Sequence, residues 1–400
     1  MTRAPLALLA LLSTALAARA DKIAVTGGAT DQTNAVVVAP HGANAAGVNS
    51  VTLPSGLHAA AQPTADGKHL VFVLPKLKAG EKVEVTPGTL NYVKAPPHFA
   101  FAKEKDGTET LSFDGRKVLN YFNLPRDASD HYFTFKPFHN VYDPVKGETL
   151  LTNTSAKTAK DGQFPHHRGL FFGFNRISYG EKKTADIWHG TNNVFSNHDK
   201  ALASEAGEVF GKQRSLISWH GQDGATFATE EREVTAYNVP GGTLIDWSTT
   251  LSTKEPKVRL DGDPQHAGFH FRANQEVSKN GKANTYYVRP DGKGKLGETR
   301  NWEPKAKDAN PKTINLPWNA CSFVVGEKRW TVLRINHPDN PKETRGSERD
   351  YGRFGDYFEY DLTPEKPLKL KYRVWVQAGE MTVEQCAALA DAFVHPPKAK

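Results

Sequence analysis

A chain of 400 residues exceeds one domain of ordinary size. Its formal charge of +7 is scattered through segments such as GEKKTADIW and DGKGKLGETR instead of forming a basic stripe, which argues against nucleic acid as a partner. With Cys321 and Cys386 as the only cysteines, CxxC metal clusters and redox dithiols are excluded, and one disulfide is the most an oxidising compartment could add.

The chain begins MTRAPLALLALLSTALAARA. A basic start at Arg3, a Leu/Ala run too short to cross a bilayer and the A-x-A site Ala18-Arg19-Ala20 read as a secretory signal peptide over residues 1–20. Removing Arg3 and Arg19 with it lowers the formal charge from +7 to +5. No later stretch approaches the ~20 apolar residues of a membrane span. The mature protein is therefore expected to be periplasmic or secreted.

Strand-like runs follow almost everywhere: AVVVA, LVFVL, KVEVT, GLFFGF, TLIDWSTTL, SFVVG, WTVLRI and LKYRVWVQ, separated by turn clusters such as NVPGG and SKNGK. Short strands with Gly/Pro/Asn punctuation predict antiparallel sheets in sandwich form. One helix is expected, in MTVEQCAALADAFVHPP, where Thr382 and Gln385 match a capping box and Pro396 ends the turn. A boundary falls near KAPPHFA, which divides the chain into a small β-sandwich (22–94) and a large antiparallel β-sandwich (96–395).

Histidine carries the chemical signal, since nine of the fifteen lie between His131 and His270. In QHAGFHFRANQEV, strand alternation puts His266, His270, Arg272, Asn274 and Glu276 on one face, and Ala267, Phe269, Phe271, Ala273 and Val277 on the other. The first set suits a polar cleft and the second a core. In FPHHRGLFFGF, a regular strand would place His166 and Arg168 on one face and His167 on the other, so the adjacent histidines take different roles unless they sit in the preceding loop. In TADIWHG, Asp186 and Trp188 share a face and His189 lies opposite; Trp beside Asp suits sugar recognition, an aromatic platform with a carboxylate for hydroxyls. A metal site is the rival, with His166, His167, His189 and His270 as imidazole donors and Asp186 as an oxygen ligand, although the neighbouring arginines oppose a cation. No G-x-S-x-G elbow or phosphate-binding glycine loop is present. Further on, His337 in INHPDNP and Arg349-Asp350 in RDYG are loop-borne polar groups of the kind that gather at binding sites.

Four blocks, His166–Phe171, Asp186–Trp188, His337–Pro341 and Arg349–Gly352, resemble in content and order those of the bacterial PmoA-like family. LPKLKAGEKVEVT is similar to that family's small N-terminal β-region. The resemblance covers most of the mature chain and implies an exported protein of a largely uncharacterised family, from bacteria rich in polysaccharide-degrading systems. The label comes from an integral membrane oxygenase subunit, whereas this chain has no membrane span. Many members have a histidine where this chain has Phe174.

The expectation is thus a mostly β protein whose large sandwich is compatible with the galactose-mutarotase type, by analogy of fold alone. Its expected function is that of a carbohydrate-active hydrolase, lyase or epimerase. His167 and His270 would serve as acid or base with Glu276 or Asp186 as carboxylate partner. Arg168 and Arg272 would meet negative charge, and Trp188 would stack on the sugar. His166, His189, His266, Asn274, His337, Arg349 and Asp350 would complete the binding surface. No cofactor is called for, a divalent metal at the His-rich site being the open alternative. A non-catalytic glycan-binding protein is the remaining alternative.

Overall fold

The computed structural model describes residues 21–41, 47–263, 265–303 and 310–400, so the signal peptide expected over residues 1–20 lies outside the described residues. All eight runs named above are strands, because β-branched and aromatic side chains at alternate positions pack well on a pleated surface. A seven-stranded sheet comes first, in the spatial order 32–40, 69–77, 58–63, 50–52, 82–88, 23–26 and 398–399. Val25, Val37, Val51, Leu70, Phe72 and Val85 form its own buried core. Its last strand comes from the other end of the chain: Val25 pairs with Ala399 and Thr26 with Lys398, so the basic Pro-rich tail closes the sheet edge.

The rest is mostly β and antiparallel, as expected. An eight-stranded sheet runs 345–349, 353–357, 267–272, 170–174, 138–141, 116–122, 109–113 and 99–103. A nine-stranded sheet runs 195–206, 210–220, 226–237, 243–252, 368–378, 328–336, 318–325, 286–289 and 292–293. The two face each other across one core, where Phe172 meets Trp219 and Trp247 at 5.5 and 5.7 Å between ring centroids, and Phe269 meets Trp247 and Tyr372 at 4.4 and 4.6 Å. A four-stranded sheet adds Ile177, Tyr179, Val258 and Leu260 to the same core.

Strand alternation holds along Ala267–Arg272: Ala267, Phe269 and Phe271 point into the core, while His270 and Arg272 occupy the outer face. Its partner Leu170–Phe174 sends Leu170, Phe172 and Phe174 inward and Phe171 outward, with Phe171 opposite His270.

Among the described residues three α-helices accompany the sheets: α1 (His131–Thr134), α2 (Gln275–Asn284) and α3 (Val383–Val394). The expected α3 carries the reciprocal Thr382–Gln385 capping box, and no described helix is long and apolar enough to cross a membrane. Helix α2 replaces the expected continuation of the 267 strand through Val277. Asn274 accepts the Glu276 backbone N–H at 2.9 Å and so caps a helix start, with Glu276 in its first turn where the dipole favours an acid. Cys321 and Cys386 are both buried and free, so the allowed disulfide is not formed.

Candidate functional site

The outer face of the eight-stranded sheet is covered by loops that bring distant histidines together. FPHHRG precedes the strand Leu170–Phe174 as a turn, not as part of it. The turn is pinned where Asn153 donates to His167 O at 2.5 Å and accepts the Gly169 N–H through its backbone carbonyl at 2.8 Å. Gly169 has φ +53°, and a Cβ there would lie 2.1 Å from His139 O, so the glycine of HHRG is demanded both by conformation and by space. At the far end of the same strand, Asp186–Gly190 makes a tight turn in which Gly190 N–H donates to Asp186 O at 3.0 Å. A second turn precedes the neighbouring strand, where His266 N–H donates to Asp263 O at 3.1 Å. Because Phe174 pairs with Ala267, both turns stand at one end of one strand pair.

Three imidazoles converge there. The His166 ring lies 4.6 Å from His189 and 6.4 Å from His266, and His189 lies 4.9 Å from His266, between ring centroids. One nitrogen from each ring falls within 4.8 Å of the other two. His189 Nδ1 lies 2.8 Å from Asp186 Oδ2, and His266 Nδ1 lies 2.7 Å from Asp263 Oδ1. Carboxylate oxygens accept, so in each couple Nδ1–H donates and Nε2 is left free of the carboxylate. His189 and His266 keep 27% side-chain exposure each, enough to be reached from solvent. His166 Nε2 is buried without a partner. Burial, followed by the charges of His189 and Lys136, pushes His166 down to about 2, so the ring stays neutral. Burial acts upward on Asp263, but the hydrogen bond and charge of His266 outweigh it and hold the carboxyl below its ordinary range.

Beneath this cluster the outer face is closed. Trp188 is fully buried against Phe171 and His270, at 4.7 and 4.9 Å between centroids. Lys136 is also buried; it donates to Trp188 O at 2.8 Å and lies over the Phe171 ring at 4.5 Å. His167 packs between these groups and Tyr351, its ring 5.5 Å from Trp188 and 6.4 Å from Tyr351, with neither ring nitrogen partnered. Beside the cluster opens a cleft of about 430 Å³, lined largely by polar groups that include Asn175, Arg176, Asp186, Asn192, Gln222 and Asp261. Asp186 belongs both to the cleft and to the His189 pair, and Asn175 donates to Asp263 Oδ2 at 2.8 Å.

Several expected site residues have other duties. His270 is fully buried, with Nε2 2.8 Å from Ala267 O and Nδ1 3.4 Å from Arg353 Nη1, so it cannot meet substrate. Glu276, carried off by α2, accepts the Gly326 N–H at 3.1 Å, and Asn274 is spent as the helix cap. Arg168 donates to the carbonyls of Tyr132, Phe133 and Pro165, which satisfies the end of α1 and leaves it fully buried. Arg272 donates to Ala273 O and Tyr351 O at 2.6 Å each and is likewise buried. Trp188 offers no free face for stacking. His337 pairs with Asp339 and packs on Phe393 of α3, and Arg349 donates to Asn301 Oδ1 at 2.7 Å. The backbone carbonyl of Asp350 lies against Gly281 of α2, and nothing draws its side chain to the cluster. Of the proposed metal donors, His167 and His270 stand outside the group of three and His266 belongs in it.

Sequence reasoning missed Asp263 and Tyr351. A signal for Asp263 was present: DIWH and DPQH are both Asp-x-x-His, the spacing at which each turn joins carboxylate to imidazole. Tyr351 lies in the RDYG block, beside the two residues that the sequence favoured.

Fold and site together define an antiparallel β-sandwich protein with a carboxylate-backed histidine cluster on the outer face of one sheet. The chain belongs to DUF6807, a family of unknown function, whose model matches residues 109–391. The N-terminal sheet's strands over 23–88 lie outside that match. No curated protein matches the chain. Among solved structures it is similar to a glycosyl hydrolase family 38 protein from Enterococcus faecalis, at TM-score 0.38 and 11% identity over 96% of this chain. It spans 48% of that protein, about half its length. It is also similar to a galactose mutarotase-like protein from Clostridium acetobutylicum, at TM-score 0.36 and 10% identity over 70% of this chain and 98% of that one. A candidate aldose 1-epimerase from Escherichia coli K12 gives TM-score 0.30 and 9% identity over 70% of this chain and 100% of that one. Scores at this level carry no argument about activity.

Proposed function

We propose that this protein is an exported enzyme acting on a carbohydrate or glycoside as a hydrolase, lyase or epimerase, with His189 and His266 as its proton-transfer groups. The observation that carries this reading is the pair of couples Asp186–His189 and Asp263–His266, whose rings lie 4.9 Å apart between centroids. A carboxylate on Nδ1 keeps Nε2 as a lone pair and stabilises the imidazolium formed when that nitrogen takes a proton. Two such rings side by side allow one to remove a proton while the other returns one, a need common to all three reaction types. The roles first given to His167 and His270 therefore pass to His189 and His266. The neighbouring cleft supports a polyhydroxylated substrate: its volume of about 430 Å³ is that of a small-molecule site, and its amide, carboxylate and guanidinium lining matches hydroxyl groups. The leader-like residues 1–20 support export. The glycan-binding alternative loses its platform, since Trp188 is fully covered.

The test is a panel of glycans and glycosides assayed with the wild type, His189→Ala and His266→Ala. Each variant should lose roughly 100-fold or more in turnover, the usual scale of acid–base catalysis, with little change in thermal midpoint. Turnover retained in both variants, or none on any panel member by the folded wild type, overturns the reading.

A further inference from the structure

We propose that His166, His189 and His266 bind one divalent metal ion of the zinc class, three imidazole nitrogens filling three positions of a tetrahedron and the fourth left for water or substrate. The inference rests on the preceding reading in placing the ion where chemistry occurs, and it changes the roles there. With the ion bound, His189 and His266 serve as ligands and the water or substrate on the fourth position carries the proton transfer. Binding itself stands on the geometry that follows.

Zinc-to-imidazole distances of 2.0–2.1 Å put ligand nitrogens about 3.3 Å apart in a tetrahedron. The three nitrogens here already lie within 4.8 Å of one another, so small side-chain rotations complete the set. Two of the rings are oriented by carboxylates, Asp186 on His189 and Asp263 on His266, the arrangement that fixes the tautomer and raises the basicity of metal-bound histidine. The third ring offers a buried Nε2 with no hydrogen-bond partner, an atom with an unmet need for a cation or donor. All three features belong to one cluster of rings.

The donor set selects the ion. Neutral imidazoles suit zinc, copper, nickel and iron, whereas calcium and magnesium require oxygen ligands. The nearby cations do not occupy the position, because each is committed elsewhere. Lys136 donates to Trp188 O at 2.8 Å, Arg168 to Phe133 O at 3.1 Å and Arg353 to Ser347 Oγ at 3.0 Å. With three protein ligands and two of them a quarter exposed, the coordination sphere stays open on one side, as in catalytic rather than structural zinc sites.

The experiment uses purified, tag-free protein stripped with a chelator and titrated with Zn2+ by calorimetry and with Co2+ by visible absorption. One ion per chain should bind, with tetrahedral Co2+ bands and a raised thermal midpoint. His189→Ala and His266→Ala should weaken binding at least 100-fold, Asp186→Asn and Asp263→Asn by about 10–100-fold, and His337→Ala not at all. Should the alanine variants misfold, the asparagine pair and the wild-type thermal shift decide. Absent saturable binding, or binding unchanged in both histidine variants, overturns the inference. The two readings fail separately. Histidine-dependent turnover by metal-free protein sinks the ion and spares the enzyme, while stoichiometric zinc without turnover on any sugar does the reverse.

Discussion

Asp186 holds His189 twice: Oδ2 accepts from ring Nδ1 and Oδ1 accepts the backbone N–H of the same residue, both at 2.8 Å. A single carboxylate thereby sets the turn and the tautomer together. Replacing it by Asn offers Nδ1 a donor in place of an acceptor, which favours the proton on Nε2. Asp186→Asn should lower turnover by about 10–100-fold, the usual cost of losing such a partner. Nitrogen-15 spectra of the imidazoles should report the tautomer shift directly, and an unchanged His189 signal would count against the positioning role.

Trp188, expected from the sequence as a stacking platform, is fully buried and serves as core. Trp188→Ala leaves a large void among Phe171, His167 and His270 and should cost about 3–5 kcal/mol in urea unfolding. Loss of less than about 1 kcal/mol would mean that the outer face is not packed as described.

His270 and His266 sit four residues apart and should respond in opposite ways. His270 is fully buried and holds Ala267 O and Arg353, so His270→Ala should destabilise by about 2–4 kcal/mol. His266 is partly exposed, and His266→Ala should shift stability by about 1 kcal/mol or less while removing activity. Paired denaturation and turnover measurements separate the two cases.

His139, away from the cluster and stacked on Tyr121 at 4.3 Å, sets a pH dependence of stability. Burial first, then the charge of Arg232, pushes it down to about 3, against a Gln213 hydrogen bond that acts upward. In the unfolded chain the ring takes its proton near its ordinary value of about 6.5, and in the folded protein it stays neutral. Its stabilising contribution is complete above that value and is lost as pH falls from about 6.5 toward 3, at up to ~1.4 kcal/mol per pH unit. Thermal midpoints should therefore decline between pH 7 and 5, before carboxylates titrate. His139→Phe should flatten the decline, and an equally steep curve in that variant would exclude His139 as a source.

The strands were legible because alternation records which side of a sheet is dry. Phe172, Phe269 and Phe271 declared their core face by spacing alone, and Thr382–Gln385 declared α3 by a reciprocal cap. The same alternation was silent about the other face. His270 and Arg272 form the polar row expected for a cleft, yet Trp188 and the loops cover them, and a single strand carries no record of what is laid on top. Helix α2 was missed because Asn274 and Glu276 fit a polar strand face as well as they fit a helix start.

From its sequence alone, this protein is determined to be a mostly β chain with sandwich-type strands, one capped terminal helix, and a concentration of histidines between His131 and His270. Those are local properties, set by side-chain period and by groups three residues apart. Which histidines meet was decided only by tertiary structure. His166, His189 and His266 come from three loops that gather where strands Leu170–Phe174 and Ala267–Arg272 pair, and His167, adjacent to the first, is turned beneath them against Trp188. Convergence of that kind is a matter of long-range register and loop closure, and no spacing along the chain encodes it.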